Sequence, residues 1–219
     1  MAETTTTGKA NETVFSIPKP LSIRIWHWCT AIFFISTVLM VLLASTLFAI
    51  KDNIPNVQDQ VQQKGGTVTV VQARQVAHMY SDKLWMTHKY LGIGLSLLLL
   101  FRFIAEMALP RDRSIRKRLV FVDSPAVVQG EARHYQVVQY SYVVFYVIFS
   151  MMAMTGLVLA FEDIKWLEPF HKAAKSIHSV LQWALYTYAV FHIAGVLRAD
   201  LTLYPGIVSR MIHGRKTSA

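Results

Sequence analysis

Cysteine is nearly absent from this 219-residue chain, with Cys29 as its one example. A single cysteine excludes an internal disulfide, a Cys-x-x-Cys-His site for covalent haem attachment and a cysteine-ligated iron–sulfur cluster within the chain. The first 20 residues also lack the basic start, apolar centre and small-residue cleavage site of a secretory signal, so we expect the first apolar segment to be retained. Any redox centre held by this chain must therefore use other ligands.

Acidic residues are also scarce, because 13 Asp and Glu stand against 22 Lys and Arg and leave a formal net charge of +9. The excess is concentrated in "RDRSIRKR" at 111–118, whereas 51–83 and 162–175 mix both signs. Further basic residues flank the apolar segments at Lys19, Arg24, Arg210, Arg215 and Lys216. Short cytoplasmic loops are enriched in Lys and Arg, so we predict that both termini and 111–118 are cytoplasmic. The basicity indicates membrane topology and argues against nucleic-acid binding.

Long hydrophobic runs dominate the rest of the sequence. The chain is 53% hydrophobic and its mean hydropathy is +0.36, which is too apolar for an ordinary soluble domain. A membrane-spanning helix needs about 20 mostly apolar residues, and the stretches that qualify are 21–50, 84–109, 136–161 and 176–200. We predict an all-α, integral membrane four-helix bundle over 21–200. It lies between cytoplasmic segments 1–20 and 201–219, and 51–83 forms an extracytoplasmic loop.

Histidines inside the apolar segments are functional candidates, because an ionisable side chain in lipid is costly. Of the eight histidines, four lie in predicted spans: His27, His88, His178 and His192. With the amino terminus inside, His27 lies near the cytoplasmic surface, and His88 and His178 lie near the outer surface. His192 follows His178 by fourteen residues and is therefore about 21 Å deeper. The sequence predicts an outer pair, His88 with His178, and an inner pair, His27 with His192.

Helical geometry also brings His178 and His192 to nearly the same face, since fourteen residues rotate a helix to within about 40° of whole turns. Neutral imidazole is a good iron ligand, and four-helix bundles hold cofactors between side chains of facing helices. We therefore predict two haem b groups with bis-His ligation, one at each pair. His78 and His171 remain alternative outer ligands.

Arg102 is a second intramembrane charge, and it follows His88 by fourteen residues, which places it at the depth of the inner pair. One interpretation is that it binds a haem propionate. The other is that it extends to the inner headgroups or pairs with Glu106, one helical turn further on. The sequence leaves both interpretations open.

Four motifs carry a family resemblance: "RIWHW" at 24–28, "MTGLVL" at 154–159, "IH" at 177–178 and "HIAGVLRADLTLYPGIVSRMIHG" at 192–214. On these motifs the chain resembles the b-type cytochrome subunit of membrane-bound nickel–iron hydrogenases. That subunit lies within a wider bacterial di-haem cytochrome b family, which includes the membrane subunit of respiratory formate dehydrogenase. The similarity covers nearly all of the chain after Pro20.

The resemblance implies that the same four histidines bind haem iron and that a quinone site lies beside the inner haem. It also implies an extracytoplasmic partner with hydrogenase-like small and large subunits, anchored in the cytoplasmic membrane by this electron-transfer subunit. Candidate cofactor-binding residues are Arg24, Arg102 and Arg198; candidate quinone-site residues are His134, Tyr135 and Asp200. Alternatives are a formate dehydrogenase-like or other respiratory partner, a stand-alone di-haem quinol oxidoreductase, and an anchor without haem.

Overall fold

The computed structural model describes residues 20–108 and 129–214, with side chains given for 20–107 and 136–214. All regular secondary structure in these stretches is helical. The longer helices are α1 (Leu21–Ser45), α2 (Ile50–Gln63), α3 (Val70–Ala108), α4 (Gln129–Ala160) and α5 (Glu168–Arg198). A 3-10 turn, Lys165–Leu167, precedes α5, a π-helical turn, Ala199–Leu203, follows it, and a short α6, Ile207–His213, comes last.

Four helical segments of the described residues are long and apolar enough to cross a membrane: Leu21–Ser45, Val70–Met107, Gln136–Ala160 and Lys165–Leu203. The last of them consists of α5 and the 3-10 and π-helical turns on either side of it. Most of their apolar side chains point away from the protein, as with Met154 at 67% and Phe191 at 72% exposure. A lipid environment accounts for this surface, because α-helices satisfy their own backbone hydrogen bonds and need no water. The predicted all-α membrane class is confirmed.

The described residues divide into two compact units, 29–185 and a second unit made of 20–28 with 186–214. The core of the first unit contains Leu95 and Leu99 from α3, Phe149 from α4 and Leu185 from α5, with Phe33 and Phe34 of α1 packed against them. All four spanning helices thus contribute to one core. Gly94 permits the close approach of α1, since a Cβ atom there would lie 2.5 Å from Cε1 of Phe33.

Most of the predicted loop 51–83 is helical, because α2 and the first turns of α3 lie in it, and the sequence analysis did not predict these helical turns. In α2, apolar residues recur at Ile50, Ile54, Val57 and Val61, the spacing of an amphipathic helix. They face small side chains on α3, where Ala73 and Ala77 are 0% and 3% exposed. At 39 residues, α3 is about 58 Å long, well beyond a hydrocarbon core of about 30 Å. Helix α3 is therefore longer than one membrane crossing requires, and its first turns pack against α2 as a helical hairpin.

Candidate functional site

His88 lies on α3 in the unit 29–185, and the backbone of α1 fixes its orientation. Its Nδ1 lies 3.4 Å from the carbonyl oxygen of Thr37. A carbonyl only accepts hydrogen bonds, so Nδ1 carries the proton and donates it, which leaves the Nε2 lone pair free. The Trp85 ring, one turn earlier, packs edge-on with its centroid 5.8 Å from that of His88. The contact with Thr37 thus favours the tautomer in which Nε2 is free to bind a metal ion.

His178 lies on α5 in the same unit, and the hydrogen-bond partner of its Nδ1 is a side chain of α4. The Thr155 hydroxyl lies 3.1 Å from Nδ1 of His178 and 2.9 Å from the carbonyl oxygen of Met151. The same hydroxyl also lies 3.1 Å from the carbonyl oxygen of Met152. When its proton is donated to either carbonyl, its oxygen can accept from Nδ1–H of His178, and Nε2 of His178 is then free as well.

The two histidines line one cavity of about 490 Å³. Its walls are mainly apolar and include Phe34, Phe149, Met152 and Leu185. Gly92 also lines it, and a Cβ atom added there would meet nothing within 4 Å. Both the size and the apolar lining are those of cofactor sites in general. The polar groups on its wall include Asp82, Lys89 and Glu162, which the sequence analysis did not single out.

Gly156 brings the backbone of α4 against the His178 ring. A Cβ atom at this position would lie 3.2 Å from Cε1 of His178, closer than ordinary van der Waals contact. The glycine therefore allows the imidazole and the Thr155 hydroxyl to meet at hydrogen-bond distance.

His27 and His192 meet in the second unit. Their ring centroids are 6.2 Å apart and their planes are inclined by 63°. A metal–imidazole bond is about 2 Å long, so two imidazoles on opposite sides of one metal atom have centroids roughly 6 Å apart. Tyr188 stacks on His192 at 6.0 Å, and Trp28 packs edge-on against His27 at 5.4 Å. At this spacing the two imidazoles would be able to hold one metal atom between them.

Both sites supply only histidine pairs, and the described residues hold no cluster of three or more His, Cys, Asp or Glu side chains suited to a metal ion. A pair is sufficient for haem, because the porphyrin supplies the other iron ligands. Paired imidazoles with free Nε2 atoms around an apolar cavity therefore fit haem b at the His88–His178 site. The 6.2 Å spacing gives the same fit at His27 and His192.

Comparison with known proteins agrees with this donor set. Residues 20–214 match the family model described as prokaryotic cytochrome b561. The chain belongs to the prokaryotic cytochrome b561 family. No curated protein and no solved structure matches it significantly. As a member of this family the chain is an integral membrane b-type cytochrome, which binds haem b and transfers electrons.

In this cytochrome, two residues that the sequence analysis named as cofactor- or quinone-binding candidates form hydrogen bonds with the backbone of α6. Nη2 of Arg24 donates to the carbonyl oxygen of Ile212 at 2.5 Å. Oδ1 of Asp200 accepts from the backbone N–H of Val208 at 3.2 Å. The third candidate at this end, Arg198, is the last residue of α5 and its side chain is exposed.

Arg102 has protein partners in the described structure. Its Nη2 lies 3.0 Å from Oε2 of Glu106, and these side chains are 11% and 18% exposed. Its Nε donates to the Tyr146 hydroxyl at 3.2 Å. The Glu106 pairing that the sequence analysis offered as one alternative is therefore present.

The remaining histidines have other surroundings. His78 is exposed beside Asp82, with Nδ1 4.0 Å from Oδ1, and His171 has a buried Nε2 with no hydrogen-bond partner in the described part of the chain. Neither lines the cavity shared by His88 and His178. The backbone of His134 and Tyr135 belongs to α4, but the structure does not describe the side chains of these two residues.

Proposed function

We propose that this cytochrome binds two haem b groups, one between His88 and His178 and one between His27 and His192. The main support for the proposal is that Nδ1 of His88 and Nδ1 of His178 each have a hydrogen-bond partner, and that both side chains line one apolar cavity. The Thr37 carbonyl and the Thr155 hydroxyl each accept a hydrogen bond from Nδ1 of one histidine, which leaves both Nε2 atoms free. Helix packing alone does not require this arrangement at both histidines. The 6.2 Å spacing of the second pair supports the same chemistry.

When bound, the haems supply one-electron chemistry. The chain's own residues hold them and tune them. Thr37 and Thr155 fix the imidazole tautomers, and Phe34 and Phe149 help to keep water from the cavity. Lys89 is the cation on the cavity wall and is suited to pair with a propionate. The protein thus contributes ligation, spacing and electrostatics.

We further propose that the chain links an extracytoplasmic iron–sulfur partner to the membrane quinone pool and anchors that partner. The name of the matching family refers to nickel hydrogenase, which supports a hydrogenase-type partner. The charge pattern supports a location in the cytoplasmic membrane with both termini inside. Electrons from the partner enter at the His88–His178 level and leave at the His27–His192 level.

Reduction of quinone to quinol takes two electrons and two protons, and in this proposal the protons come from the cytoplasmic side. Asp200, His134 and Tyr135 are the residues we assign to that site. The Asp200 carboxylate is held in place through Val208, at the end of the helix that carries His192. A carboxylate and an imidazole at this level are suited to relay protons.

The decisive experiment is a haem count on the purified protein together with identification of its companions. Haem-replete expression should yield two haem b groups per chain and sharp b-type bands on reduction. Mild solubilisation of native membranes should also recover iron–sulfur and nickel-bearing chains. Colourless protein or a single haem per chain would overturn the di-haem proposal, and recovery with no catalytic chain would support a stand-alone quinol oxidoreductase.

A further inference from the structure

We infer that α6 is a clamp that positions His27 relative to His192, with Asp200 and Trp28 as its positioning residues. The inference concerns the second unit alone and rests on the proposed function only in taking these two imidazoles as ligands of one haem. The clamp joins the end of α5, which carries His192, to the start of α1, which carries His27. It is made of three contacts, each between a side chain and the backbone of α6.

The first contact holds the amino-terminal end of α6. Beyond Arg198 the chain continues into the π-helical turn Ala199–Leu203, which is closed by the Tyr204 N–H donating to the Ala199 carbonyl at 2.7 Å. Within this turn, Oδ1 of Asp200 accepts from the N–H of Val208, the second residue of α6. That N–H has no partner inside its own helix, so the carboxylate takes the part of a helix cap.

The reversal between the two helices is also fixed. Gly206 has a φ of 81°, a left-handed conformation that glycine adopts without a steric penalty. The Arg210 guanidinium donates to the carbonyl oxygen of Pro205 at 3.0 Å and lies 3.5 Å from that of Tyr204. The turn is therefore tied to α6 from the other side, and the direction of α6 is set by the end of α5.

The other two contacts hold the carboxyl-terminal end of α6. Trp28 Nε1 donates to the carbonyl oxygen of Met211 at 3.2 Å, and Arg24 donates to that of Ile212. These carbonyls belong to the last turn, whose oxygens have no partner within the helix, and a cation there also complements the helix dipole. Arg24 and Trp28 are four residues apart and so lie on one face of α1.

Trp28 connects the clamp directly to a ligand. Its indole packs edge-on against the His27 ring at 5.4 Å while its N–H is held by Met211. Loss of that hydrogen bond frees the indole to turn, and the His27 ring then loses a fixed neighbour. On the opposite side, Tyr188 stacks within 8° of parallel on His192. Each imidazole thus has an aromatic neighbour, and the one beside His27, Trp28, is held in position by α6.

The test uses full-length protein with haem bound and compares matched substitutions. Trp28→Phe keeps an aromatic ring beside His27 but removes the N–H, and Asp200→Ala removes the acceptor for Val208. Asp200→Asn keeps an oxygen at Oδ1. Trp166→Phe and Asp59→Ala change exposed residues in the other unit and serve as controls.

Electron paramagnetic resonance of the oxidised protein is the primary measurement, because the g values of low-spin haem iron respond to the angle between axial imidazole planes. Trp28→Phe and Asp200→Ala should shift one of the two low-spin signals and the midpoint potential of the same haem. The other signal, the haem content and both controls should match the parent. Asp200→Asn should restore the parent signal. Unchanged signals in Trp28→Phe and Asp200→Ala would overturn the clamp, as would an Asp200→Asn spectrum like that of Asp200→Ala.

Hydrogen exchange provides an arm that does not depend on haem. Amides of residues 207–213 should exchange about fivefold faster in Asp200→Ala and Trp28→Phe, the factor that corresponds to the net contribution of one hydrogen bond. The exchange of α4 should not change. A haem count of zero with faster exchange would reject the proposed function and keep the clamp. Two haems per chain with unchanged amide exchange in the variants would reject the clamp and keep the proposed function.

Discussion

The Thr155 hydroxyl lies 3.1 Å from Nδ1 of His178, and the same hydroxyl lies 2.9 Å from the carbonyl oxygen of Met151. The imidazole on α5 is therefore oriented by the backbone of α4 through one intervening side chain. This relationship joins two helices at the wall of the cavity. It makes Thr155 a testable part of the site.

Thr155→Val should weaken haem binding at His178, because valine has nearly the shape of threonine but cannot accept from Nδ1–H. Loss of such an outer contact typically costs about 10- to 100-fold in metal affinity. Haem titration into the apoprotein would measure it, and Thr155→Ser should retain most of the affinity. Equal affinity in Thr155→Val and the parent would contradict the role of the hydroxyl.

Substitution of the four histidines should remove haems in pairs. His88→Ala and His178→Ala should each abolish one and the same haem, while His27→Ala and His192→Ala should abolish the other. Redox titration of the remaining haem identifies which one is left, since the two environments differ. His78→Ala and His171→Ala are the matched controls and should keep both haems. Retention of both by His178→Ala, with a loss in His171→Ala, would move the ligand to His171.

Gly156→Ala should disturb the same site by a different route. The added methyl carbon would lie 3.2 Å from Cε1 of His178, so the ring must move and lengthen its hydrogen bond to Thr155. We expect a lower haem content together with an altered spectrum of one haem. Gly195→Ala is the control, because its methyl group would meet no atom within 4 Å. Identical spectra for the two variants would show that the ring has room to shift.

Substitutions at Arg102 and Glu106 decide between the two interpretations of Arg102. If the pair with Glu106 is its main role, Arg102→Gln and Glu106→Gln should each lower the free energy of unfolding by about 1 to 3 kcal/mol, as expected for a hydrogen bond between charged groups. Haem content should stay at the parent value in both. Denaturant titration in detergent and a haem assay measure the two quantities. Loss of one haem in Arg102→Gln alone would instead favour the propionate interpretation.

The sequence was sufficient for the spanning helices and for the grouping of four histidines into pairs. Both depend on local information: apolar runs of about 20 residues, and a fixed rise of about 1.5 Å per helical residue. His27 and His192 are far apart in the chain, yet their depths can be compared once the direction of each span is known. The structure brings their ring centroids to 6.2 Å.

Other parts of the site could not be read from the sequence, because they depend on which faces of distant helices meet. Thr37 and Thr155 are unremarkable threonines until α1 and α4 are placed beside His88 and His178. The contact of Arg102 with Tyr146 likewise depends on the packing of α3 against α4, which the sequence does not show. The helix α2 was missed because its polar content ruled out a span, although its apolar residues recur at helical spacing.

Helix α3 runs without interruption from Val70 to Ala108, so His88 lies on the same helix as the residues that form the hairpin with α2. A stiff helix passes a tilt at one end to every residue along it. Force applied at the hairpin would therefore change the angle at which the His88 imidazole enters the cavity. The orientation of the His88 side chain is therefore mechanically linked to the hairpin, without any loop between them.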